Sequence, residues 1–428
     1  MTVFRPEVDI DRVMAELGAL ASKSGAPAPA VTRVVYTETD LAARGLVKHL
    51  FAKAGLSVRE DPIGNTFARW QGRRPDISPV GTGSHIDAIP HSGRFDGTVG
   101  VLGALEAVRA LERAGFRPSR PIEVLMFTSE EPTRFGIGCL GSRALCGALT
   151  AESLAALRDV EGHSFDAVRR AAGFHGELQN VRLHDGYFAA FVELHIEQGP
   201  LLERARADIG IVTAIAAPAA LRVTWEGEGG HAGAVLMPER RDALCAAAET
   251  VLAVEAAACS SGSPDTVATT GGCRVHPGAI NSIPDRVTLE IDVRDIDIDP
   301  RDRVVDEIRR AVDEIAGRRQ VRRVIESLNA DPPARMAGAV VEAIQDACDE
   351  LGLASLPITS RAYHDSLFMA RIAPTGMIFI PCKGGISHRP DESSAPAEIA
   401  RGIEVLAGTL ARLAGSEDHP RGSRDHAR

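Results

Sequence analysis

Aromatic side chains make up only 4% of the 428 residues, and positive charge is in the minority, with 48 Lys and Arg against 58 Asp and Glu. A chain of formal net charge −10 lacks the basic footprint and the stacking rings that nucleic-acid binding requires, so no nucleic-acid partner is expected. No stretch approaches the roughly 18 uncharged apolar residues of a spanning helix, so no membrane partner is expected either. The first twelve residues carry charges throughout and no apolar block, and no secretory signal is read there. Cysteine is sparse as well. The seven are scattered from Cys139 to Cys382 without a CxxC pair, a pattern that suits reduced thiols of a cytoplasmic enzyme. What remains is ordinary globular material, 44% hydrophobic and 25% charged, which excludes a largely disordered chain.

The apolar spacing changes character along the chain. Residues 40–51 and 97–111 repeat with helical period, whereas 56–61 alternates and 122–127 is a short apolar run. Strands separated by helices of this length predict an α/β sandwich with a mostly parallel sheet. From 221 onward the order becomes strand (221–225), helix (241–256), strand (287–293) and helix (303–316), which suits a smaller α+β domain. A helix after Asp331-Pro332-Pro333 and an apolar strand at 377–380 then resume the first pattern. The expected organisation is a catalytic domain in two parts, 1–211 and 331–415, interrupted by an inserted domain at 212–330 and followed by a loose tail at 416–428.

Clusters of metal-capable side chains accompany the glycine turns. In Gly83-Ser84-His85-Ile86-Asp87 an imidazole precedes a carboxylate by two residues, so Asp87 can orient His85 from behind. Asp96 follows in a glycine-flanked loop. The adjacent carboxylates of Ser129-Glu130-Glu131-Pro132 would repel unless they share a cation or a proton, although acidic residues also favour the first turn of a helix. Glu193, His195 and Glu197 alternate with apolar residues and so share a strand face, and Ser387-His388-Arg389-Pro390 follows the last strand. His85, Asp96, Glu131, His195 and His388 each stand near the end of an expected strand. Ligand sites of open parallel sheets lie outside the carboxyl ends of strands, where such distant segments can converge. A bridging carboxylate with further imidazole and carboxylate donors can hold two divalent ions, leaving Glu130 free as a general base.

These blocks resemble the metal-dependent amidases of the hydantoinase and carbamoylase group, within the larger aminoacylase and carboxypeptidase superfamily. The resemblance runs from about residue 36 to about residue 413. It implies a catalytic α/β domain interrupted by a smaller lid and dimerisation domain, and two divalent ions per subunit, manganese or zinc. Asp96 would bridge them, His85 and His195 completing one site, Glu131 and His388 the other, with Glu130 as base. By the same resemblance His231, in Gly229-Gly230-His231-Ala232-Gly233, would steady the oxyanion, while Gln198, Asn281 and Arg294 would bind the substrate. Structural readings of two of these stay open: Asn281 in a turn, and Arg294 paired with Asp292 or Asp295.

Within the family, the stretches 83–90, 129–136, 216–219, 233–238 and 361–371 point to members that act on (S)-ureidoglycolate. Ala88-Ile89 and Pro132 depart from the pattern more common in allantoate and carbamoyl-amino-acid hydrolases. Tyr363 and His364 would then shape the pocket. The implied activity is cleavage of a ureido C–N bond in a small carboxylate, giving glyoxylate, ammonia and carbon dioxide, with allantoate or N-carbamoyl amino acids as alternative substrates. A homodimer formed through the inserted domain is implied as well. A non-catalytic scaffold of the same fold is the reading from another class; loss of one of the five donors would favour it, and all five are present.

Overall fold

The computed structural model describes residues 6–415, so the tail expected at 416–428 lies outside the described residues. The chain divides into two compact units, one formed by residues up to Thr213 and from Met336 onward, the other by Ala214–Arg335. The sequence placed these crossings at 211/212 and 330/331; the strand Ile209–Ile215 runs on past the first expected cut, and at the second the strand Arg322–Ala330 ends at the cut while the unit continues to Arg335.

In the first unit the strands Ile209–Ile215, Thr375–Ile380, Ala190–Ile196, Val80–His85, Ile122–Phe127, Thr66–Trp70 and Ser57–Glu60 lie side by side in that order. Neighbours among Thr375–Ile380, Ala190–Ile196, Val80–His85 and Ile122–Phe127 are parallel, and the flanking strands are antiparallel. The sheet is therefore mixed, with a parallel centre. Those four central strands are fully buried, which accounts for their short continuous apolar runs. Leu194, Ile196, Ile378 and Ile380 join Val101, Leu105, Ile403 and Leu406 in one core, so the helices Thr98–Arg113 and Pro396–Gly415 cover that face. Strand alternation then turns Glu193 and His195 to the opposite face. The helix Glu38–Lys53 starts where Thr37 accepts the N–H of Asp40, an N-cap that the sequence window at 40 cut short.

The second unit is a four-stranded antiparallel sheet in the order Val267–His276, Arg286–Asp295, Ala217–Glu226, Arg322–Ala330. Leu221, Val223 and Trp225 alternate with half-buried residues, and with Leu289 and Ile291 they pack against Val304, Ile308 and Val312 of the helix Ile298–Arg319. The helix Ala243–Cys259 contributes Ala246, Ala247 and Val254 to the same core. Its other side exposes Leu244, Val251 and Leu252.

Candidate metal centre and active site

Because the four central strands run parallel, their carboxyl ends meet at one edge of the first unit. Val80–His85 ends on His85, Ala190–Ile196 carries His195 at its penultimate position, Ile122–Phe127 leads into Glu130 and Glu131, and Thr375–Ile380 leads toward His388. Asp96 comes to the same edge from the loop before the helix Thr98–Arg113. Gly97, at φ +64°, is required there, since a Cβ would stand 2.4 Å from the His85 ring.

The donors fall into two groups, His85, Asp96 and His195, and Asp96, Glu131 and His388. Asp96 belongs to both, one oxygen to each. Its Oδ1 lies 3.2 Å from His195 Nε2 and 3.6 Å from His85 Nε2, and its Oδ2 lies 3.2 Å from His388 Nε2. His388 Nε2 is also 3.4 Å from Glu131 Oε1. The Nδ1 atoms of His85 and His195 stand 3.0 and 2.9 Å from the carbonyl oxygens of Asp87 and Ile196, to which only an N–H can bond. Each ring therefore turns Nε2 toward the Asp96 carboxylate, and a proton or a metal cation between nitrogen and oxygen satisfies that approach.

Charge argues the same way. Burial, reinforced by Asp96, pushes the Glu131 carboxyl up to about 7. Burial, with Glu131, Asp365 and Asp87 near by, holds Glu130 well above the ordinary carboxylate range. Hydrogen bonding to Asp96 raises His388 to about 9, and although burial opposes it, bonding to Asp87 and Asp96 raises His85. A buried site that draws protons onto its imidazoles and carboxylates lacks positive charge, and divalent cations meet that need with this nitrogen and oxygen set. The residues present fit such ions.

Asp87 does more than its spacing indicates. Its carboxylate accepts the backbone N–H groups of Glu130 at 3.1 Å and Glu131 at 3.0 Å, while His85 is held by its backbone carbonyl. Glu197 leaves the strand and accepts the N–H groups of Leu201 and Leu202 at the start of the helix Leu201–Ala205 instead of sharing the face of Glu193 and His195. The Gln198 side-chain nitrogen donates to Asp96 Oδ2 at 2.7 Å, and among the described residues its Oε1 has no hydrogen-bond partner. His364 is buried, kept neutral by burial and by His195, with its ring centroid 4.5 Å from that of His195. Tyr363 packs near Phe368, with the Arg143 guanidinium 5.7 Å from its ring.

Of the residues in the second unit, His231 and Asn281 come together where the short strand Gly230–His231 pairs with Ser282–Ile283. His231 Nδ1 accepts the Gly233 N–H at 3.1 Å, so in the neutral ring Nε2 carries the hydrogen. The Arg294 guanidinium forks onto Asp292 at 2.8 and 3.0 Å, the pairing that the sequence left open.

Several residues escaped the sequence. Cys139 Sγ lies 3.2 Å from Glu130 Oε1 as a donor. Asp365, pushed up to about 8 by burial and Glu193, accepts the Ser142 O–H at 2.5 Å. Glu193, which alternation had grouped with His195, accepts from Ser84 Oγ and from the Ser366 N–H. Nothing in a single sequence distinguishes Cys139 and Asp365 from solvated residues; their burial does. Left-handed backbone marks the same place. Among the described residues eight non-glycine positions have positive φ, and four of them, Ser129, Cys139, Gln198 and His388, are at or next to the proposed site residues.

Known proteins share this arrangement of chain and fold. A ureidoglycolate hydrolase of Arabidopsis thaliana is 53% identical over 413 residues, covering 95% of this chain and 87% of its own. An N-carbamoyl-L-amino acid amidohydrolase of Geobacillus stearothermophilus is 39% identical over 408 residues, covering 95% and 99%. The crystal structure of AtUAH in complex with glyoxylate matches with a TM-score of 0.87 at 52% identity, covering 96% of this chain and 99% of that one. The model of peptidase family M20/M25/M40 matches residues 81–412, and the chain belongs to that family.

Proposed function

We propose that this amidohydrolase cleaves the ureido C–N bond of (S)-ureidoglycolate, the overall hydrolysis consuming one water and, once the remaining amino nitrogen has left the hydroxylated carbon, giving glyoxylate, two ammonia and carbon dioxide. The observation that carries the proposal is the Asp96 carboxylate, with one oxygen toward each donor group and Glu130 buried beside them, on a chain 53% identical to a ureidoglycolate hydrolase. His85, Asp96 and His195 would hold one divalent ion, and Asp96, Glu131 and His388 a second, manganese or zinc. When bound, such ions polarise a carbonyl and lower the pKa of water toward neutrality.

The remaining chemistry belongs to the chain's own groups. Glu130 takes the proton of the attacking water and returns it to the leaving nitrogen. Asp87 fixes the backbone beneath it, and the Cys139 thiol holds one carboxylate oxygen. Gln198 Oε1 is a spare acceptor for a ureido N–H. His231, with Nε2 as donor, is assigned to the oxyanion, Asn281 and Arg294 to the substrate carboxylate, and Tyr363 and His364 to the pocket wall. For Arg294 this requires the substrate to compete with Asp292.

Homodimerisation through the second unit and a cytoplasmic location complete the proposal. The first is supported by the exposed Leu244, Val251 and Leu252 face beside the sheet's edge strand Val267–His276, the second by reduced thiols, three of them exposed. Allantoate and N-carbamoyl amino acids present the same bond, so kcat/KM for the three substrates with added Mn2+ is the test. Ureidoglycolate is expected to rank first, and preference for either other substrate would refute the assignment.

A further inference from the structure

Glu392 reaches Asp96 from the far end of the chain. Its Oε1 accepts the backbone N–H groups of both Phe95, at 2.8 Å, and Asp96, at 3.1 Å. Its Oε2 lies 2.8 Å from Ser387 Oγ, which is also 3.0 Å from Asp96 Oδ2, so two carboxylates contest one hydroxyl hydrogen. The side chain is buried, 5% exposed, and packs on the bare Cα of Gly93, where an added Cβ would stand 2.3 Å from Oε1. Gly93 needs no unusual φ; the glycine makes room for this carboxylate. On its own side Glu392 closes the turn that directly follows His388, since its N–H donates to the Arg389 carbonyl at 3.1 Å. His388 holds the left-handed φ of +58° immediately before that turn.

A buried anion beside Asp96 is electrostatically costly, because like charges in a poorly solvated site repel. Its compensation is geometric: a single carboxylate ties the loop of Asp96 to the turn of His388, residues almost three hundred positions apart. We infer that Glu392 is a positioning residue that fixes the Asp96 carboxylate against His388 and so sets the spacing of the two donor groups sharing Asp96. It acts through those residues and has no part in proton transfer. This inference rests on reading Asp96 and His388 as metal donors.

The test compares wild type with Glu392→Ala and Glu392→Gln for Zn2+ and Mn2+ affinity, by competition with a chelating dye, together with kcat, KM and thermal unfolding. Removing such an outer partner costs about 10–100-fold in metal affinity. The Ala variant is expected to lose that much, with kcat reduced and KM near wild type. Gln keeps an oxygen for both backbone N–H groups and is expected to recover most of the loss. A purely structural Glu392 would lower thermal stability and leave metal affinity unchanged, and wild-type affinity in folded Glu392→Ala would overturn the inference. Should that variant not fold, Gly93→Ala decides, because its Cβ displaces the same carboxylate: weakening of about tenfold supports the inference and wild-type affinity overturns it. If the wild-type chain bound neither ion, the donor reading itself would fail instead.

Discussion

Replacing Glu130 by Gln separates proton transfer from everything else this residue does. The side chain is buried, its backbone N–H is fixed 3.1 Å from Asp87 Oδ1, and Oε1 lies 3.2 Å from the Cys139 thiol. None of these contacts requires the negative charge. Burial and the nearby Glu131, Asp365 and Asp87 disfavour the ionised form, so removing it relieves repulsion and thermal stability should hold or rise. The donor groups around Asp96 do not include Glu130, so metal content should also hold. Turnover should not. A positioned acid–base group contributes about 10²–10⁴-fold, or about 2.7–5.4 kcal/mol of barrier at 1.36 kcal/mol per tenfold. Steady-state release of ammonia from ureidoglycolate, measured with metal content on the same preparation, checks this. A fully metallated Glu130→Gln within about tenfold of wild type would refute the base assignment.

Three further outcomes follow from the packing. Asp40→Ala leaves the Arg44 guanidinium buried without its partner at 2.9 Å, and a urea melt should record a loss of about 3–5 kcal/mol. Burial pushes the Cys348 thiol from its ordinary 9.0 up to about 12. The unfolded chain then loses this proton at lower pH than the folded one, so its contribution to stability is complete below pH 9 and disappears as pH rises to about 12. Cys348→Ala should flatten that part of the alkaline stability curve, and an unchanged curve would count against the buried thiol. Leu252→Asp places a charge on the exposed face of the helix Ala243–Cys259, and light scattering should show a dimer in wild type and a monomer in the variant.

Local periodicity carried the elements, because a helix or strand is written in its own spacing. The helices Glu38–Lys53 and Thr98–Arg113 and the strand Ile122–Phe127 fall where apolar residues recur at 40–51, 97–111 and 122–127. Pairing is not local. That Thr375–Ile380 lies between Ala190–Ile196 and Ile209–Ile215 depends on contacts between segments far apart in sequence. The antiparallel flanks that make the sheet mixed were hidden for the same reason. In the site, His85, Asp96, Glu131, His195 and His388 stood out because imidazoles and carboxylates beside glycine turns form recognisable blocks. Asp365 and Glu392 did not, since an isolated acidic residue reads as surface until its burial is known. The alternation that grouped Glu197 with His195 failed because the strand ends at Ile196, and the next side chain turned to cap a helix.

The central proposal is that Asp96 is shared between two ions. Metal-stripped protein titrated with Mn2+ or Zn2+, while ureidoglycolate hydrolysis is followed, tests it most directly. The account predicts negligible turnover in the stripped chain and activity that rises until both groups, His85–Asp96–His195 and Asp96–Glu131–His388, are filled, with a plateau at two ions per chain. Full activity in the stripped protein, or a plateau at one ion, would contradict it.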